Sequence, residues 1–379
     1  MLKQTPPLSL YIHMPWCIQK CPYCDFNSHS IEQNSIPEQA YIQRLLFDLE
    51  QHLPMVWGRT IQSVFIGGGT PSLFSSDSIA QLLSGIRTRL LLSPLAEISL
   101  EANPNSADRD KFAGFRQAGI NRLSLGIQSF SNQKLKALGR VHDSQQAIDA
   151  IEAAQATFEN FNIDLMFALP EQSGEQALLD LKTACQFKPP HLSWYQLTLE
   201  PNTWFYQHPP TLPTDDHAWQ IQTAGQHYLQ QQGYQNYEIS AYHRQQQPTC
   251  QHNLNYWQFG DYLAIGAGAH GKITDVNHNT IYRYQTKRHP QSYLTTDISP
   301  DYKAITSKDL PLDFMLNALR LTNGVPLSYF QQRTGLSLEK IQLTLLSAQA
   351  KGWLKPSQTQ LQPTRKGLQF LNELLQLFL

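Results

Sequence analysis

The stretch SLYIHMPWCIQKCPYCDF, residues 9–26, decides how the rest of the chain is read. SLYIHM is apolar and rich in strand formers. Met14, Pro15 and Trp16 then open a loop in which Cys17, Cys21 and Cys24 follow as C-x3-C-x2-C. Three of the chain's five cysteines lie in this loop. Thiolates at that spacing can wrap one compact inorganic body. A cubane iron–sulfur cluster normally takes four thiolates, so three leave one iron free to take a small chelating molecule. Two other readings use the same residues. A structural zinc site wants a fourth ligand, which His13 or His29 could supply. Cys21-Pro22-Tyr23-Cys24 has the form of a redox dithiol, but that leaves Cys17 unused. The spacing favours the cluster over zinc.

Outward from this loop, strand-like runs alternate with helical patterns. The runs are SLYIHM (9–14), SVFIG (63–67), EISLE (97–101), NRLSLGI (121–127), NIDLMFAL (162–169) and LSWYQLTL (192–199). Amphipathic segments lie between them at 41–53, 78–90, 109–119, 144–158 and 175–185. Such a repeat predicts an α/β fold with a parallel sheet or barrel. Six strands are fewer than a closed barrel needs, which predicts a partial (β/α)6 TIM-like barrel or strands further on. The cysteine loop follows the first strand, at the mouth where barrel chemistry sits. PNTWFYQHPPTLPTDD (201–216) reads as an excursion or lid, and a helix is expected in DHAWQIQTAGQHYLQQQG. Residues 305–379 predict a mostly helical, winged-helix-like domain with a short strand pair, WLKP and QLQPT. The boundaries expected are 1–235 for the barrel, 236–300 for a connecting region and 301–379 for the helical domain.

Composition narrows the function. The 379 residues are 41% hydrophobic, enough for a large core and a smaller appended domain. Lys+Arg at 29 against Asp+Glu at 30 gives a net charge of -1, unlike a general binder of nucleic acid or anionic membrane. The C-terminal region carries eight Lys/Arg against four Asp/Glu, but the expected recognition helix has only Lys340 and Lys351. An interaction or lid role is therefore expected there, not DNA binding. The N-terminus does not read as a secretory signal and no run is long enough to span a membrane, so a cytoplasmic protein with reduced thiols is expected. The amphipathic end LQFLNELLQLFL is expected to pack on the C-terminal domain.

Read as Y-I-H-x-P-W-C-x3-C-x-Y-C-D-F, the opening motif resembles the radical S-adenosylmethionine (SAM) superfamily. Within it, the chain resembles the branch of oxygen-independent coproporphyrinogen oxidases and their HemW-type heme-chaperone relatives, over nearly its whole length. The resemblance implies a [4Fe-4S] cluster on Cys17, Cys21 and Cys24, with the open iron chelated by the amino and carboxylate groups of SAM. Gly68, Gly69 and Thr70, in the GGGTP turn after the second strand, match the segment that binds the amino acid part of SAM. Glu101, Gln128, Arg140 and Asp164 match other SAM-contacting positions: carboxylates for ribose hydroxyls and the amino group, Arg for the carboxylate, Gln as an amide contact. Tyr11 matches a position near the cluster and SAM, and Tyr23 lies in the motif itself.

Two departures separate the chain from the oxidases. Phe26 stands where their pattern has a further cysteine, and only sixteen residues precede Cys17. His252-Asn253-Leu254-Asn255-Tyr256-Trp257 matches the HNxxYW signature of the chaperones. Imidazole is a good axial ligand for heme iron, and Tyr and Trp offer flat apolar faces. Cys250 is a candidate second ligand, and His270 a candidate lining residue. Cys185, Tyr293 and Trp194 read as core, as does Tyr195. The resemblance implies a heme chaperone that passes heme to acceptor proteins, membrane respiratory proteins among them, with no catalytic residue assigned. A coproporphyrinogen III dehydrogenase is the alternative, and a zinc-binding regulatory protein a third reading. A homodimer is left open.

Overall fold

Each apolar run of the first two-thirds becomes a strand. They are β1 (Leu8–Met14), β2 (Thr60–Gly68), β3 (Leu91–Ala102), β4 (Arg122–Gln128), β5 (Asn160–Phe167) and β6 (His191–Gln196). The computed structural model describes residues 1–31, 36–105, 109–297 and 299–379. Successive strands pair in parallel from β1 to β6, as a strand–helix repeat requires. The connecting helices are α1 (Glu38–Val56), α2 (Ser76–Arg87), α3 (Phe112–Ala118), α4 (Ser144–Thr157) and α5 (Gly174–Gln186). Two start with full capping boxes, Asp143 with Gln146 and Ser173 with Gln176, which fixes where the chain turns from strand to helix. This is the partial barrel that the sequence predicts.

Alternation along the strands sorts the residues by chemistry. Leu10 and Ile12 of β1, Val64 and Ile66 of β2, Leu123 and Leu125 of β4, and Leu192 and Trp194 of β6 join the helices in one apolar core. The residues between them are largely polar: Ser9, Tyr11 and His13; Glu97, Ser99 and Glu101; Ser124, Gly126 and Gln128; Asn162 and Asp164; Ser193 and Tyr195. Parallel strands are usually apolar on both faces. Here the inner face is kept polar, which marks it as a binding surface.

The sheet is larger than the repeat. Helix α6 (Asp215–Gln231) leads into a hairpin of β7 (Tyr234–Glu238) and β8 (Ala241–Arg244), which adds antiparallel to β6. After α7 (Gln251–Trp257), strand β9 (Asp261–Ile265) adds parallel to β1 on the opposite side. β10 (His270–Asp275), β11 (Thr280–Gln285) and β12 (Lys303–Ala304) continue that edge. Among the described residues the result is a 12-stranded sheet in the order β12-β11-β10-β9-β1-β2-β3-β4-β5-β6-β8-β7. Residues 236–300, expected as a connection, thus supply strands to both edges of the sheet.

The C-terminal part contains α8 (Leu310–Ala318), α9 (Ser328–Thr334) and α10 (Glu339–Ala350). The expected strand pair closes only at a Leu354–Pro363 bridge; Gln360–Leu361 pairs instead with Val325–Pro326. LQFLNELLQLFL is not one helix: it breaks at Phe370 between Arg365–Gln369 and Leu371–Gln376. Among the described residues no helix is long and apolar enough to cross a membrane.

Candidate functional site

The cysteine loop is locked to the end of β1 by backbone bonds. Trp16–Cys17 pairs with His29–Ser30, and the Ile31 amide donates to the Cys17 carbonyl at 2.9 Å. The glycine turn after β2 fastens to the same place: the Gly69 amide donates to the Met14 carbonyl and the Thr70 amide to the Trp16 carbonyl, both at 2.7 Å. A Cβ at Gly69 would lie 2.5 Å from the Trp16 carbonyl oxygen. One at Gly68, whose φ is +115°, would meet the His13 ring at 2.5 Å. These glycines let two loops touch backbone to backbone.

Cys17, Cys21 and Cys24 are free, half-buried thiols. They line one cavity of about 340 Å³ with Tyr23, Gly68, Gly69 and Thr70. Thr70 Oγ1 lies 3.5 Å from Cys17 Sγ, Ser28 Oγ lies 3.6 Å from Cys24 Sγ, and Arg140 Nη1 lies 3.7 Å from Cys21 Sγ. Each thiol therefore has its own polar neighbour. Among the described residues no three His, Cys, Asp or Glu side chains converge closely enough to hold a single metal ion.

Glu101, Gln128, Arg140 and Asp164 line the same cavity from the inner face of the sheet. Burial, with Asp164 nearby, pushes the Glu101 carboxyl up to about 7, although the Gly68 amide donates to its Oε2 at 3.1 Å. Burial also raises Asp164, against hydrogen bonds from Ser124 at 2.9 Å and Asn162 at 2.8 Å. Arg140 is anchored through Nη2 to Asn103 Oδ1 at 2.8 Å and the Gly126 carbonyl at 2.7 Å, while its buried Nε has no partner. Gln128 adopts φ +69° where the β4–β5 register shifts, and accepts from the Tyr195 hydroxyl at 2.8 Å. A left-handed, non-glycine residue on a strand end is held there by its surroundings.

A second cavity of about 650 Å³ adjoins the first. Gly68, Glu101, Asn253 and Trp257 wall both. The second is largely aromatic, with Tyr11, Phe65, Tyr256 and Tyr262, and it includes His252 and His270. His252 stacks on Phe65 with ring centroids 5.0 Å apart. Its Nδ1 lies 3.1 Å from Ser63 Oγ and its Nε2 lies 3.0 Å from the Tyr256 hydroxyl. Ser63 donates onward to Ser9 at 2.8 Å, so Nδ1–H donates to Ser63 and Nε2 accepts from Tyr256. Burial, with Arg122 second, lowers the His252 pKa to about 3, which keeps the ring neutral. Tyr11 donates to His13 Nδ1 at 3.0 Å, because His13 Nε2 faces the Asn27 carbonyl at 2.9 Å.

Some candidates sit elsewhere. Cys250 faces neither cavity: its thiol, pushed up to about 12 by burial, lies 3.3 Å from Glu97 Oε1. Glu97 also accepts the first amides of α7, from Gln251 at 3.2 Å and His252 at 3.3 Å, and so holds the HNxxYW helix on the sheet. Cys185 and Tyr293 are core residues. Tyr195 is not: it lines the cysteine cavity, while its neighbour Trp194 packs outward on Phe167. Its place two residues after Ser193 in an alternating strand is the signal that finds it. Asn103 and Ser124 had the same signal, as polar residues in or beside apolar strands.

The comparisons with known proteins follow this geometry. The profile of the radical SAM superfamily matches residues 11–183, and that of the HemN C-terminal domain matches residues 305–370. The chain is 48% identical to the heme chaperone HemW of Escherichia coli (strain K12) over 99% of each chain. It is 47% identical to that of Haemophilus influenzae, over 100% of this chain and 99% of the relative. It is 36% identical to the bovine (Bos taurus) mitochondrial radical S-adenosyl methionine domain-containing protein 1, over 70% of this chain and 60% of that one. In fold it is similar to the coproporphyrinogen III oxidase HemN of Escherichia coli, with a TM-score of 0.81 over 99% of this chain and 90% of that one, at 23% identity. Matched end to end at nearly half of all positions, the chain belongs to the HemW family of heme chaperones, within the radical SAM superfamily.

Proposed function

We propose that the protein binds heme in the aromatic cavity and passes it to acceptor proteins in the cytoplasm or at its membrane, respiratory heme proteins among them. The observation that carries this reading is the adjoining pair of cavities, one lined by three thiols and one walled by the HNxxYW helix. The likeness to heme chaperones over the full chain supports it.

The residues around the first cavity suit a [4Fe-4S] cluster with SAM. Three thiols that line one cavity, each with its own polar neighbour, suit a compact iron–sulfur cluster. Cys17, Cys21 and Cys24 would hold the cluster. Gly68, Gly69, Thr70, Glu101, Gln128, Arg140 and Asp164 would hold SAM, with Tyr11 and Tyr23 beside them. The buried Arg140 Nε, lacking a protein partner, fits a carboxylate from outside the chain. When bound, such a pair supplies one-electron chemistry. The chain's own part is to orient SAM, shield it from water and keep Arg140 charged beside it.

In the second cavity, aromatic faces offer the macrocycle apolar area. His252 is already neutral, as an iron ligand must be. Its Nε2 lone pair is held by the Tyr256 hydroxyl, so ligation requires that hydroxyl to turn away.

An anaerobic heme titration of the cluster-reconstituted protein, followed by absorbance, tests this reading. Saturation near one heme per chain is expected, with a shifted spectrum and weaker binding in His252→Ala. No specific binding would remove the proposal and turn attention to decarboxylation of coproporphyrinogen III. Tight binding with an unchanged spectrum in the variant would place the iron ligand elsewhere.

A further inference from the structure

Arg320 lies just beyond α8, in the C-terminal part of the chain, yet its side chain reaches the wall of the cysteine cavity beside Trp257, Asn253 and Glu238. Two contacts hold the side chain there. Its guanidinium carbon stands 4.2 Å from the centroid of the Trp257 ring. Its Nη2 donates to Glu238 Oε2 at 3.2 Å, and Glu238 Oε1 accepts from the Ser240 amide and hydroxyl, both at 3.1 Å. The segment that carries it is tied to β7 through Thr322, whose amide donates to the Tyr237 carbonyl at 3.1 Å and whose hydroxyl donates to the Asn236 carbonyl at 2.8 Å.

Two donors at this spot have no acceptor: the buried Nε of Arg320 and the buried Nε1 of Trp257. Buried donors almost always find a partner, either a protein group or an ordered water. Two unmet ones on adjacent residues of one cavity wall mark a place where an outside acceptor fits. Arg320 keeps 29% of its side chain exposed, so its fork is reachable, whereas its partner Glu238 is only 4% exposed. An arginine fork held flat matches a carboxylate. Trp257 and Asn253 also wall the aromatic cavity, so the fitting ligand has a flat apolar body and a carboxylate arm.

We propose that Arg320 is the carboxylate-recognition group of the tetrapyrrole site and takes a propionate of the heme, an assignment that rests on the heme reading given above. Glu238 holds the fork in place and balances its charge until the ligand arrives. The propionate then ties the C-terminal part of the chain to the barrel.

Heme and its dimethyl ester, in which both carboxylates are masked, distinguish this role from simple stacking. Both are titrated into the cluster-reconstituted wild type, Arg320→Gln and Trp257→Phe. The wild type is expected to bind heme roughly tenfold more tightly than the ester, the usual effect of a charge-assisted hydrogen bond. Arg320→Gln is expected to abolish that preference and leave ester and SAM affinity unchanged. Trp257→Phe keeps an aromatic face but loses the N–H, and is expected to narrow the preference about threefold. This second variant carries the test if loss of the Glu238 partner unfolds the first. Equal wild-type binding of heme and ester, with heme still bound tightly, would overturn the assignment alone. Binding of neither would overturn the heme reading and the assignment with it. A fall in SAM affinity with the heme preference intact would assign Arg320 to SAM and overturn the proposal.

Discussion

At the scale of single residues, the inner face of the barrel holds two carboxylates, Glu101 and Asp164, in surroundings that disfavour their charge. Glu101 has a pKa of about 7 in the folded protein against an ordinary value of 4.5. Between those values the folded state holds more protons than the unfolded chain, so this group makes stability fall as pH rises through that window. The effect is on the order of 2 kcal/mol once the side chain's partial exposure is allowed for. Glu101→Gln keeps an acceptor for the Gly68 amide but has no charge to bury. In cofactor-free protein the variant is expected to melt a few degrees above wild type at about pH 8 and level with it at about pH 4. Thermal melts at the two values check this; an equal shift at both would mean that the effect is packing, not charge. The residue-scale reading was the part most open to inspection of the sequence. Cys17, Cys21, Cys24, Gly68, Gly69, Thr70, Glu101, Gln128, Arg140 and Asp164 all line one cavity. What the motifs did not carry was orientation. Nothing in the string CQHNLNYW says that both nitrogens of His252 are engaged, or that Cys250 turns to Glu97.

At the scale of elements, the same alternation that makes the inner face polar makes the outer face depend on close helix packing. Trp194 of β6 lies against the backbone of α6, where a Cβ at Gly225 would come within 1.9 Å of its ring. The ring is fully buried and tilted on Phe167, so it has nowhere to go. At Gly85 of α2 an added Cβ meets only the tip of Leu46, at 2.5 Å. Gly225→Ala is therefore expected to destabilise by about 1–3 kcal/mol, despite the better helix propensity of alanine. Gly85→Ala is expected to change stability by less than about 1 kcal/mol in either direction, because a flexible leucine can rotate aside. Denaturant midpoints check the pair, and equal losses would refute the distinction. The six repeat strands were legible because each is a β-branched or aromatic run of ordinary length between helical patterns. The hairpin β7–β8 and the strands β9 to β11 were not. Gly260, Gly266, Gly268 and Gly271 punctuate the latter, and histidines and aromatics in them drew attention as ligands. The pairing of β9 with β1 joins residues about 250 positions apart, which no local pattern encodes.

At the scale of the whole molecule, the C-terminal part does not own its core. Phe314 and Phe330 pack in one cluster with Phe259, Tyr237, Cys250 and Leu2, all of which come from the barrel side. Phe314 meets Phe259 edge-on, with centroids 5.5 Å apart. The N-terminus joins the same contact: the Met1 ammonium donates to the Gly335 carbonyl at 2.8 Å, and the Leu2 amide to Asn279 at 2.7 Å. A family profile ending near residue 183 and another beginning at 305 suggest two separable modules. The shared cluster argues for one cooperative unit, because breaking the chain between them would leave fully buried aromatic rings on both sides in water. Each such ring contributes roughly 2 kcal/mol of burial, and a fragment of about 75 residues has little to spare. A fragment spanning 305–379 is therefore expected to lack fixed tertiary structure, with weak near-ultraviolet circular dichroism and poorly dispersed amide resonances. The intact protein is expected to unfold in calorimetry as one transition. A well-dispersed, cooperatively melting fragment would show instead that the helical part folds alone. Arg320 would then reach the cavity only after docking, and heme affinity would depend on the docking equilibrium.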